Sequence, residues 1–327
     1  MNAIKPPNKS LTNTLEGGIA ARLQQHAEAA RGAYAANTER ALRADIVIYT
    51  GWCLKADRIA LPASFETVAA FVDAMAMGKA PATVRRYVSS IATFHRAGEV
   101  PNPCDSQLVK LALKRMHREK GRDQQQAKAI TDHVVVRMLS AAGRTLRDLR
   151  NKALLVTAYT TMCRRSELVM LRKESLEVDG DGFGTIAILQ SKADQEGRGD
   201  VAAITPDAMV HLDAWLTAAG IETGPLFRSV RKGRHPTIGG FLNSGEVSII
   251  FKRMAVRARL SIEEVQHISG HSTRVGAAQD MIRYEADMAG AMQAGRWKSP
   301  EMLARYTRRV NIRRGAVAKV AGKREQF

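Results

Sequence analysis

Cysteine is scarce. The 327 residues contain three, Cys53, Cys104 and Cys163, odd in number and far apart. No CxxC pair or Cys/His cluster occurs, so neither a disulfide framework nor a zinc site is indicated. Cys163 is read as a small, partly buried thiol beside a more important arginine; a nucleophilic role is the less favoured alternative. No apolar run approaches the ~20 residues that cross a bilayer. The opening MNAIKPPNKS has no apolar core of a secretory signal. These absences predict a soluble, intracellular protein without a membrane partner. There is also no Walker loop, no GxGxxG element, no internal repeat and no cluster of acidic metal ligands.

Acidic residues are outnumbered, 32 against 50 Lys and Arg, giving a net charge of +18. The pI is near 10.2. Polyanions are natural partners of such a surface. Residues 1–130 hold 19 Lys/Arg and 11 Asp/Glu, and residues 251–327 hold 16 and 7. The middle, 131–250, is almost balanced at 15 and 14. Two basic regions flanking a near-neutral one suit a protein that touches DNA from two sides. A generally basic, solvated surface is the plainer alternative. Apolar residues at 45% and charged residues at 25% are an ordinary globular mixture, and the length suffices for two domains.

Residues 1–15 are polar, carry two prolines and read as disordered. From about 18 to 116 the pattern is helical. Val84, Tyr87, Val88, Ile91 and Phe94 recur at helical spacing between Pro81 and His95, and Gly98 suits the end. A second helix is expected from Phe65 to Met77, with Ser64 as N-cap. Arg85 and Arg86 lie off the apolar stripe, facing solvent or a phosphate. The stretch HREKGRDQQQAKAI, 117–130, is polar and aperiodic, the best linker in the chain. The predicted division is a helical domain over 16–121, a linker over 122–130 and a second domain over 131–327. That second domain is expected to be mainly α with one small antiparallel β element. GFGTIAIL and DVAAI flank the turn QSKADQEGRG. Thr205-Pro206 opens a helix ending at Gly220, and Ser299-Pro300-Glu301 opens the one bearing Tyr306.

Four segments carry chemistry. They are Thr161-Met-Cys-Arg164-Arg-Ser-Glu167-Leu168, Ser191-Lys192-Ala-Asp194, Gly270-His271-Ser-Thr-Arg274, and Gly295-Arg296-Trp297 followed nine residues later by Tyr306. Breaking a phosphodiester by transesterification requires a nucleophile, neutralisation of the equatorial oxygens and a proton for the leaving oxygen. Without a metal, a cage of cationic donors does this. Arginine matches phosphate geometry and stays charged. Lysine or histidine moves protons. A phenol with a free pKa of about 10 gains from nearby cations. Singly, each residue has an ordinary structural explanation; together, and in this order, they supply every part.

Arg-x-Ser-Glu-Leu at 164–168, His-x-x-Arg at 271–274 and the late Tyr306 resemble the signature of the tyrosine recombinases, the phage integrase family. Gly270-His-Ser-Thr-Arg-Val-Gly-Ala-Ala-Gln-Asp-Met281 and Met292-Gln-Ala-Gly-Arg-Trp297 extend the resemblance, with tryptophan where many members carry histidine. It covers about 131–310. The resemblance implies a mainly α fold: a helical core-binding domain and a catalytic domain with a small sheet, closing round DNA as a clamp. It implies that Arg164 and Arg274 bind the scissile phosphate, with His271 and Trp297 donating hydrogen bonds. Lys192 would be the general acid, Tyr306 the nucleophile forming a 3′-phosphotyrosine, and Glu167 a supporting residue. Lys192 matches least securely, because this turn varies in length across the family. Arg165 would be a surface or DNA-backbone residue. No cofactor is implied. The implied partners are double-stranded DNA with paired recombination sites, a homotetramer on that DNA that exchanges strands through a Holliday junction, and accessory DNA-bending proteins; the location is cytoplasmic, with the nucleoid. The tail after about 310 would pack on a neighbouring protomer or lie free. Arg85, Arg86, Lys252, Arg253, Arg257 and Arg259 are candidate DNA contacts. The other readings are a non-cleaving DNA-binding or architectural protein on the same fold, and a topoisomerase or telomere resolvase using the same chemistry.

Overall fold

The structure, a computed structural model, describes residues 17–122, 126–189, 199–231, 233 and 236–314. The chain divides into two compact units, 1–125 and 126–327.

The first unit is helical: α1 (Gly17–Ala29), α2 (Ala36–Lys55), α3 (Phe65–Gly78), α4 (Pro81–Ala97) and α5 (Gln107–Lys120). Ser64 caps α3, its hydroxyl accepting from the Thr67 amide at 3.2 Å, and Pro81 sits in the first turn of α4. The apolar stripe of α4 (Val84, Tyr87, Val88 and Ile91) is buried against Tyr49, Phe71 and Val109. His95 is fully buried and ties two segments together. Its Nε2 accepts from the Ala63 amide at 3.0 Å and its Nδ1 lies 2.9 Å from the Ile91 carbonyl, which fixes the neutral ring with its proton on Nδ1. α5 continues to Lys120, so the first residues of the expected linker, 117–120, are helical. Residues 1–15 lie outside the described residues, apart from which the helical reading of this half stands.

The second unit holds α6 (Asp132–Ala141), α7 (Leu146–Thr160), α8 (Arg165–Met170), α9 (Pro206–Ala219), α10 (Ser244–Arg257), α11 (Ile262–Gln266), α12 (Ser272–Arg283), α13 (Met288–Gly295) and α14 (Pro300–Arg314). Its strands are β1 (Leu176–Val178), β2 (Gly184–Ile188), β3 (Asp200–Ile204), β4 (Arg228–Arg231) and β5 (Thr237–Phe241). β1, β2 and β3 form one antiparallel sheet, and β4 pairs with β5 in a separate hairpin. The β2–β3 pair is the one the sequence predicts. β1 and the hairpin are additions to that expectation.

α7 and α9 pack against each other, and Leu154, Leu155, Leu212 and Trp215 are buried in the core they share. The indole of Trp215 donates to the Leu226 carbonyl at 2.8 Å, which satisfies its one polar atom in the core. α7 begins with a capping box in which Thr145 and Asp148 bond reciprocally. α12 is buried over almost its whole first two turns. One reason is that residues 128–130, expected as linker, lie against it. The Ile130 amide donates to the Ser272 carbonyl at 3.0 Å, the Lys128 amide to the His267 carbonyl at 2.9 Å, and Ile130 is fully buried. Gly276 makes this approach possible, since a Cβ there would lie 1.7 Å from the Ile130 carbonyl oxygen. Asp280 on the next turn accepts from the Asp132 amide and the Tyr159 hydroxyl, both at 2.7 Å.

Candidate active site

Arg164 stands at the start of α8, where the backbone leaves an extended conformation and enters the helix. The Glu167 carboxylate, one turn on, accepts from the Arg164 amide at 2.9 Å and from its Nη1 at 2.7 Å. An acid in the first turn suits both the free amides and the helix dipole. Glu167 is buried to 3% exposure, and Arg164 is only partly exposed. A buried carboxylate thus fixes the orientation of a guanidinium that still reaches solvent.

His271 precedes α12 and Arg274 lies in its first turn, so a spacing of three places both on one face. Arg274 is 1% exposed, and its two Nη atoms donate to the carbonyls of Met162 and Gly295. Met162 adopts a left-handed backbone, φ 51°, in the turn before Arg164. The guanidinium of Arg274 lies 4.9 Å from the centre of the Trp297 ring, in cation–π contact. Burial lowers the Arg274 pKa to about 10, and the neighbouring Arg164 and Arg296 add to the effect.

Tyr306 faces this cluster from α14. Its hydroxyl is 2.8 Å from His271 Nε2, and its ring is 5.2 Å from that of Trp297. Burial lowers the His271 pKa to about 4, with Arg274 and Arg164 as further causes. The imidazole is therefore neutral at pH 7. In the tautomer that carries its hydrogen on Nδ1, Nε2 is an acceptor for the phenol. The carbonyl of Tyr306 itself is held by Gln279 at 3.3 Å and Gln126 at 3.4 Å.

Three nitrogen donors in and beside this cluster have no hydrogen-bond partner among the described residues: Trp297 Nε1, Arg274 Nε and Arg296 Nε, all buried. An unmet buried donor costs about 1–3 kcal/mol. Such donors at an active site are what an incoming anion satisfies.

The structure therefore brings Arg164, Glu167, His271, Arg274, Trp297 and Tyr306 into one cluster. Lys192, with Ser191, Asp194 and Arg198, lies outside the described residues. The sequence profile of the phage integrase family matches residues 128–311. The chain belongs to that family. It is 28% identical over 305 residues to the recombinase Cre of Escherichia phage P1, covering 89% of each chain. It is 31% identical over 287 residues to an integrase/recombinase XerD homologue of Selenomonas ruminantium, covering 84% of this chain and 82% of that one. Among solved structures, the Tn1549 transposon integrase in complex with transposon right end DNA shares the fold, with a TM-score of 0.61 at 13% identity over 90% of this chain and 98% of that one.

The other predicted residues are more varied. Arg85 is exposed on α4, whereas Arg86 reaches the buried Asp45 at 2.9 Å and lies over the Tyr87 ring. Arg253 is exposed, Lys252 donates to the Gln266 carbonyl at 3.0 Å, and Arg257 pairs with Asp148. Arg86 and Arg257 thus have structural partners that a helical pattern alone does not reveal. Cys163 is 1% exposed, and burial raises its pKa, which leaves it a poor nucleophile. Sequence reasoning gave no role to Arg296, Gln126 or Gln279. The only sign of the first was its place inside the Gly-Arg-Trp segment.

Proposed function

We propose that this chain is a site-specific DNA recombinase that cleaves and rejoins DNA through a covalent bond between Tyr306 and a 3′ phosphate. The single observation that carries the reading is the hydrogen bond between Tyr306 and a neutral His271, set beside Arg164 and Arg274. In the proposed step the Tyr306 oxygen attacks phosphorus. Its proton passes to His271 Nε2. The bond to the 5′ oxygen breaks, and that oxygen takes a proton from Lys192. Arg164, Arg274 and Trp297 Nε1 receive the charge that gathers on the non-bridging oxygens. The phosphotyrosine keeps the bond energy, so a 5′ hydroxyl from another strand reverses the step without a nucleotide cofactor. Strand exchange would run through a Holliday junction within a homotetramer on two paired sites.

The basic charge, the family and the DNA named with the Tn1549 integrase support DNA as the substrate. The test uses a pool of duplexes nicked near the centre, with randomised arms, together with DNA from beside the gene that carries inverted repeats around a short spacer. Wild-type protein is expected to form a denaturation-resistant adduct, and Tyr306→Phe none. No adduct from the wild type with any of these duplexes would leave a DNA-binding protein in place of an enzyme.

A further inference from the structure

The segment Gly295-Arg296-Trp297 contains a residue in an unusual place. α13 ends at Gly295, and Arg296 caps it in the left-handed conformation, φ 52° and ψ 46°. A side chain is strained in that conformation, which is why glycine is favoured at helix ends. The backbone needs only the turn. The side chain must therefore be judged by what it touches.

It runs inward. The Arg296 side chain is 7% exposed. Nη1 donates to the Thr161 carbonyl at 3.0 Å. Nη2 donates to Glu167 Oε2 at 3.1 Å, with the Met162 carbonyl at 3.4 Å. Nε lies 3.8 Å from Asp200 Oδ2, at the first residue of β3. Two arms of the planar fork thus join the turn before Arg164 to the carboxylate that orients Arg164, while Nε, which makes no hydrogen bond, lies within ion-pair distance of Asp200 at the start of β3. Lysine, with one rotating ammonium, has no such fork.

The charge arrangement gives the contact its meaning. Glu167 Oε1 is occupied by Arg164 Nη1, and Oε2 by the Arg164 amide and Arg296 Nη2. With Arg164 as its sole cation, Glu167 would neutralise the very guanidinium meant for the phosphate. A second cation on the same carboxylate leaves Arg164 with more of its charge unspent and its direction fixed. Among the described residues Arg296 has no hydrogen bond to Tyr306 or His271, and its one ion pair with a hydrogen bond is to Glu167.

We propose that Arg296 is a positioning residue: shared with Arg164 on Glu167, and paired with Asp200, it sets the orientation and net charge of Arg164 for the phosphate. This rests on the reading of the site given above. The experiment measures the first-order rate of covalent adduct formation at saturating duplex, using a nicked duplex that the wild type cleaves, and duplex affinity separately. Arg296→Gly keeps the left-handed turn at no steric cost. It is expected to slow adduct formation about tenfold or more while affinity stays within about twofold. In a Glu167→Gln background the same change is expected to have an effect of less than about threefold, because the two residues act as one unit. Arg296→Lys, which keeps the stem and charge, is expected to recover only part of the rate and serves as the test should the glycine variant fail to melt cooperatively.

A wild-type rate in Arg296→Gly, or a wild-type rate in Arg296→Lys, overturns the proposal. So does an equal loss in both backgrounds, which would mean that Arg296 acts independently of Glu167. Failure of the wild type itself to form an adduct overturns the parent reading, and this one with it; an adduct from the wild type together with any of the first three outcomes overturns this proposal alone.

Discussion

Arg274 shows how a single residue can serve two ends. Two of its nitrogens hold the carbonyls of Met162 and Gly295, and its Nε–H is left without a partner in the described residues. Arg164→Ala and Arg274→Ala are each expected to lower the cleavage rate about 10²–10³-fold, the scale of one lost preorganised donor, with most duplex affinity kept. Gel-shift affinity and adduct rate, measured on the same duplex, check the split. Arg274→Ala should also lower the melting temperature, because the two carbonyls lose a shared donor; Arg164→Ala should do so less. His271 offers a pH test. Its pKa is lowered to about 4 in the fold, and unfolding returns it to an ordinary value of about 6.5. On acidification the unfolded chain therefore takes up the proton first. Stability holds above about pH 6.5 and falls from there toward about pH 4, at roughly 1.4 kcal/mol per unit of depression. His95, whose pKa burial also lowers, acts in the same direction. Urea midpoints at about pH 7.5 and about pH 5 should differ less in His271→Gln than in the wild type.

At the scale of elements, α12 is the part on which the site most depends. It bears Arg274, begins just after His271, and is covered by residues 128–130. Gly276→Ala would drive a methyl into the Ile130 carbonyl and is expected to cost about 3 kcal/mol, read as a lower urea midpoint. Ser64→Ala, which removes the cap of α3, should cost about 1 kcal/mol in the first unit and leave the site untouched. The sequence makes such elements unequally legible. α3, α4 and α14 announce themselves by cap, proline and apolar spacing, because those signals are local. β1 has three residues, too few to show alternation. β4 and β5 include Arg228, Arg231 and two glycines, with Val230 as the one buried apolar side chain, so neither reads as a strand. The site was legible as a list of residue types in order, and through the family resemblance. The bonds that assemble it span 112 residues from Arg274 to Met162 and 129 from Arg296 to Glu167. No local pattern encodes contacts at that distance.

For the whole molecule, charge and division into units set what can be measured. Affinity for duplex DNA should fall by about 10³-fold or more between roughly 50 and 200 mM salt if six or more phosphates are neutralised. A filter-binding series in salt tests this, and a flat profile would deny the basic surface a part in binding. Each unit has its own core, and the second contains the whole site as described. A fragment beginning at 126 is expected to melt in one cooperative transition by calorimetry. One beginning at 131 loses Ile130 and its bond to Ser272, and should melt at a lower temperature.

The polar run before α6 looks like free tether, the kind of stretch in which an engineer would splice a tag or vary length at will. Its last residues belong instead to the framework under Arg274. Added residues should be tolerated just after α5, at 121–122, whereas the same insertion at 128–130 should behave as an active-site lesion, with no catalytic side chain altered.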